Sequence, residues 1–117
     1  MTQTELHRYA DRLAALNRGH DEAVRRRREK AREEAQRLAG QLYARLSGLR
    51  GVYGFGSVFE PHRPFGECSD IDLAIDGGEL IDAVRICRHS SFRVDVVDIS
   101  DQDDPFARGV RERAVRL

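Results

Sequence analysis

The chain has no tryptophan, two cysteines, three prolines and a single lysine, Lys30, beside nineteen arginines. Each shortage excludes something. A P-loop kinase or ATPase reaches its phosphates with a lysine in a glycine-rich loop, and Lys30 lies in a charged run with no such loop. Cys68 and Cys87 are too few for a disulfide framework and suit reduced thiols, so a cytoplasmic protein is expected. Cys68 with His62 lacks the second ligand pair that a zinc site needs. No apolar run reaches the length of a membrane span, and Met1-Thr2-Gln3-Thr4-Glu5 does not read as a signal peptide, so no membrane partner is expected. Internal repeats and low-complexity linkers are missing as well. What remains, 117 residues with a formal net charge of zero, is enough for one domain with a modest core.

The zero net charge conceals two unlike halves. Residues 1–50 carry a balance of +5 and residues 51–117 a balance of −5. A basic half attracts nucleic acid, an acidic partner or its own acidic half. The run Arg25-Arg26-Arg27-Arg28 invites a nucleic-acid reading, but a helix spreads four consecutive residues around most of its circumference. Acidic residues follow at once, so a solvated helix face is the favoured reading of this run.

Periodicity divides the chain into an N-terminal helical region, residues 1–48, and a core, residues 49–117. Leu6, Tyr9, Leu13 and Leu16 repeat at helical spacing over residues 4–17, with Thr4 as cap. Asn17-Arg18-Gly19-His20 reads as a break or bend, and a second helix is predicted over residues 21–47. Its first part is charged; its second carries Ala31, Ala35, Leu38, Leu42 and Leu46 on one side. This region is expected to form a helical hairpin or a long helix, and pairing of two copies through it is one expectation. Strands are predicted at residues 49–55, 71–75 and 92–99, with a helix over 79–88 that turns Leu80, Ile81, Val84 and Cys87 to the sheet. Asp104 followed by Pro105 is a start signal for a last helix, in which Phe106, Val110, Ala114 and Leu117 close the sheet. The fold class is α+β, or α/β-like: a small mixed sheet with helices on one face.

Strand periodicity also picks out three carboxylates. Residues two apart on a strand share a face, so Asp70, Asp72 and Ala74 lie on one side, with Ile71, Leu73 and Ile75 on the other. In Val94-Asp95-Val96-Val97-Asp98, core-facing Val94 and Val96 turn Asp95 toward the side of Asp70 and Asp72. Asp98 falls in phase with the valines and more readily ends the strand, so Asp95 is assigned to the site and Asp98 is the alternative. Neighbouring carboxylates repel unless a cation lies between them, and Mg²⁺ prefers such hard oxygen ligands. Before the first Asp, Gly54, Gly56 and Ser57 leave a strand where glycine lets the backbone turn sharply and approach a phosphate. Arg63 lies in the intervening loop as a candidate phosphate contact.

Gly56-Ser57, twelve intervening residues, Asp70-x-Asp72 and then a strand carrying Asp95 together resemble the polymerase β-type nucleotidyltransferases, and most of all their minimal members, the MNT domains. The likeness covers residues 52–117. The interval is about two residues longer than the family's usual one, a difference that a loop absorbs. The resemblance implies a palm-like sheet and a Mg²⁺-dependent enzyme with two ions. Asp70, Asp72 and Asp95 would hold the metals and act in catalysis, and Ser57 would contact the nucleotide phosphates, beside Gly56 and the loop candidate Arg63. It further implies transfer of a nucleoside monophosphate from an NTP, foremost ATP, to a hydroxyl acceptor. As a group, MNT proteins resemble the antitoxins of HEPN toxin–antitoxin pairs, so a HEPN-type toxin is one protein acceptor it suggests. The rival from another class is an inactive MNT-like scaffold that binds a protein or nucleic acid through its N-terminal helices.

Overall fold

The computed structural model describes residues 2–60 and 71–117. The sequence-derived candidates His62, Arg63, Cys68 and Asp70 lie outside the described residues. A single helix, α1, runs without a break across Gln3–Arg45. Its N-cap is Thr2, not Thr4: the Thr2 side chain accepts from the Glu5 N–H and the Glu5 carboxylate accepts from the Thr2 N–H. This reciprocal box satisfies two backbone donors that the first turn would leave open. Asn17 and Gly19 do not break the helix, because neither forbids helical geometry and ion pairs such as Arg25–Glu22 and Arg26–Glu22 support the charged stretch.

The chain then enters β1 (Gly51–Phe55), a 3-10 turn (Gly56–Val58), β2 (Ile71–Asp76), α2 (Leu80–Cys87), β3 (Val94–Asp98), α3 (Pro105–Arg113) and β4 (Val115–Arg116). The strands lie in the order β3-β2-β1-β4. β1 is antiparallel to both β2 and β4, whereas β2 and β3 are parallel and joined through α2, as a parallel pair requires a crossover.

The two faces of the sheet are covered differently. Val52, Ile71, Leu73 and Ile75 point to one face and are fully buried against Ala31, Ala35, Leu38 and Leu42 of α1 and Ala83 and Ile86 of α2. On the other face Ala74 packs with Ile99, Ala107 and Val110, beside Tyr53, Phe55 and Val97. Two helices therefore cover one face as expected, and α3 lies across part of the opposite one. At α2 the buried stripe is Ala83, Ile86 and Cys87, while Leu80, Ile81 and Val84 are exposed. The helix is rotated from the expected setting, so that Ala83 and Ile86 join Cys87 against the sheet. Burial pushes the Cys87 thiol up to about 11, so it stays protonated.

The chain end also departs from the helical expectation. α3 starts at Asp104 as foreseen, the Asp104 side chain accepting from the Ala107 N–H. It stops at Arg113, with Phe106 exposed, and Val115–Arg116 pairs with β1. The open edge of β1 offers backbone partners that a helix would forgo: Leu117 N–H donates to Val52 O at 2.8 Å. Tyr43 of α1 seals this corner, its hydroxyl accepting from Val52 N–H at 2.9 Å and donating to Leu117 O at 3.1 Å.

Candidate active site

The parallel register pairs Ile71 with Val94, Asp72 with Asp95 and Leu73 with Val96. In-register residues of neighbouring strands share a face, and adjacent strands run about 5 Å apart. Asp72 and Asp95 are therefore side-by-side neighbours on the face opposite α1 and α2. In the antiparallel pair Phe55 stands opposite Asp72, so the end of β1 arrives at the same place.

The bend after Phe55 brings the backbone against the acidic pair. Gly56 has φ +74°, and a Cβ built on it would overlap Asp72 Oδ2. Both the dihedral and the close approach call for glycine. Ser57 follows, half-buried, in the 3-10 turn. Gly56 N–H donates to Glu60 Oε2 at 2.7 Å, and Gly56 O accepts from the N–H groups of Phe59 and Glu60. A phosphate at this turn would meet the backbone of Ser57 and Val58, since the donors on either side are engaged.

Glu60 and the two groups that anchor the turn escaped the sequence reading. Glu60 is only 5% exposed, with Arg113 Nε 3.6 Å from its Oε1. It belonged, by sequence, to a loop of variable length; a carboxylate four residues after the glycine was the signal that it closes back on the bend. From the other side, Arg32 Nε donates to Val58 O at 2.9 Å and ties the turn to α1. The glycine-serine bend is thus held from α1, from α3 and by its own glutamate. Over the same glycine strand, the Phe59 ring occupies the space that a Cβ on Gly54 would need.

Among the described residues, α3 covers part of this face. It covers Ala74 and the end of β2, where Asp76 pairs with Arg50 at 2.7 Å and with Arg111 at 3.4 Å. The Arg50 hydrogen bond, with Arg111 nearby, holds the Asp76 carboxyl below its ordinary value against the opposing effect of burial. Asp76 is thereby neutralised and structural. Asp72, half-buried, and Asp95, exposed, lie at the opposite end of their strands. Asp98 ends β3, out of phase with Asp95, and its carboxylate accepts from the Ser100 N–H. Among the described residues no group of three His, Cys, Asp or Glu side chains forms a ready metal site. The described residues bring together Gly56, Ser57, Asp72 and Asp95; Asp70 and Arg63 are outside them. No helix among the described residues is long and apolar enough to cross a membrane.

No protein-family model matches this chain, and no curated protein is significantly similar to it.

Proposed function

We propose that this chain is a Mg²⁺-dependent nucleotidyltransferase that moves a nucleoside monophosphate, AMP from ATP foremost, to a hydroxyl acceptor. One observation carries the reading. Asp72 and Asp95 stand in register on neighbouring parallel strands, with the Gly56-Ser57 bend pressed against Asp72. Two carboxylates in register on one face of a sheet are a pairing that a divalent cation would stabilise.

The donor set fits a hard divalent ion: carboxylate oxygens from two strands, with Asp70 two residues before Asp72 in sequence as a third. Bound Mg²⁺ supplies charge to the triphosphate and its leaving pyrophosphate. The protein's own part is positioning. Ser57 and the N–H of Val58 take a phosphate; Gly56 lets the bend close against Asp72; Asp95, exposed at the rim, accepts the proton of the acceptor hydroxyl. The hydroxyl oxygen then bonds to the α-phosphorus as the α–β phosphoanhydride bond breaks and pyrophosphate leaves. Arg63 is a further phosphate contact by its place in the sequence. The acceptor is a partner protein, a HEPN-type toxin being the form that the resemblance suggests.

The test is incubation of the protein with ATP, Mg²⁺ and a lysate, with mass spectrometry of AMP-bearing species. Asp72→Asn and Asp95→Asn are expected to abolish transfer while circular dichroism and the unfolding midpoint stay close to wild type. Full transfer by the double variant would refute the assignment. Absence of ATP binding by calorimetry in Mg²⁺ would favour the inactive scaffold.

A further inference from the structure

The apolar stripe of α1 does not stop where the domain does. Ala31, Ala35, Leu38 and Leu42 bury one side of the helix against the sheet. At 100° per residue, Leu6, Tyr9, Leu13 and Leu16 continue on that same side, where there is no sheet to meet. Their exposures are 55%, 51%, 43% and 69%. Together with His20 and Ala23 they fill alternating three- and four-residue steps over three heptads, the spacing of a two-helix seam.

We propose that this arm pairs antiparallel with the arm of a second copy of the chain. Centring the pair between Ala14 and Ala15 sets Leu13 opposite Leu16 of the other copy, Tyr9 opposite His20 and Leu6 opposite Ala23. The residues beside the seam agree with this register. Glu5 meets Arg26 of the other copy, and symmetry makes that contact twice. Glu5 uses Oε2 for the helix cap, and Arg26 sits 3.4 Å from Glu22 at the surface. Arg12 meets Gly19. That glycine needs an explanation, because among the described residues nothing beyond its chain neighbours and the nearby helix backbone lies within 4 Å of a Cβ built there. A glycine inside a helix costs about 1 kcal/mol relative to alanine, so the monomer gains nothing from it. In the paired arms it makes room for the Arg12 side chain.

The arm is also the right length. Residues 3–26 span about 36 Å. The register ends each arm at the base of the other, before Ala31, the first residue fully buried against the sheet. Shifting the pair one heptad toward the domain sets Arg12 opposite Arg26 and drives Leu6 onto Lys30. A parallel pair is disfavoured for a related reason. It would bring together the two arm bases, each with an open cavity of about 620 Å³ lined by Ala23, Val24 and Phe92 together with the basic Arg26, Arg27 and Lys30. Antiparallel arms hold these three basic side chains of the two copies apart.

Sedimentation equilibrium of the full chain tests the proposal. A dimer is expected across the micromolar range, and Leu13→Asp should give a monomer with an unchanged core. Glu5→Arg and Arg26→Glu should each weaken the dimer roughly fivefold, and the two together should restore it, because only the antiparallel register brings these residues into contact. A wild-type chain that stays monomeric throughout the micromolar range overturns the pairing. A dimer in which the double swap is no tighter than either single swap overturns the register.

Discussion

At the scale of single residues, Gly56 is where backbone geometry and chemistry meet. Its positive φ and its contact with Asp72 are separate demands, and alanine fails both. Left-handed backbone costs a non-glycine residue about 1–2 kcal/mol, and the Cβ must also displace a carboxylate held between strands. Gly56→Ala is expected to lower stability by about 1–3 kcal/mol in urea unfolding. Transfer activity should fall further than stability does, since the displaced carboxylate is the proposed ligand. A variant with an unchanged midpoint would mean that the bend relaxes at no expense. Sequence made this glycine legible through its place at a strand exit, with Gly54 before it and Ser57 after. It did not reveal Glu60, which looked like loop and proved to be the side chain that fastens the bend.

At the scale of elements, the ends proved harder to read than the middles. Alternation in Ile71, Leu73 and Ile75 marked the buried face of β2, and the same pattern in β3 turned Asp95 to the side of Asp72; the register that makes them neighbours belongs to the assembled sheet. Those patterns depend on local periodicity, which one sequence contains. β4 depends on a vacant edge of β1, which only the assembled sheet reveals; hence Ala114 and Leu117 looked helical. The rotation of α2 has the same origin, because which side of a short helix is buried is set by the packing of α1 and the sheet around it, and Ala83, Ile86 and Cys87 are the residues that meet it. Asp76 shows how elements are locked together: it joins the end of β2 to Arg50 before β1 and to Arg111 on α3. Its carboxyl is held below 3.8 when folded, so the folded state binds fewer protons than the unfolded chain. The resulting stabilisation is complete above the unfolded value and drains away as pH falls through the folded one. Asp76→Asn is expected to cost about 1–2 kcal/mol near neutral pH. The difference from wild type should shrink below about pH 4, as followed by denaturant titration at several pH values. A difference that stays constant down to low pH would mean that the ion pairs contribute nothing.

For the whole molecule, extents of 67 × 29 × 17 Å record an uneven distribution of support. A helix of 43 residues is about 65 Å long and sets the long axis by itself. Only its C-terminal half is buried against the sheet, so stability along this one element cannot be uniform. An isolated helical arm is marginal in water, whereas amides beneath a packed core open only with the whole fold. Native-state hydrogen exchange should therefore show weak protection near Leu6 and Leu13, rising to the global value at Leu38 and Leu42. Concentration separates the two causes of protection. If the arms pair, diluting the protein speeds exchange over residues 3–26 and leaves residues 31–45 as they were, because only the former depend on a second molecule. Strong protection of the arm that does not change on dilution would instead mean that the helix is stable alone, and its apolar stripe would then need no partner to keep it folded.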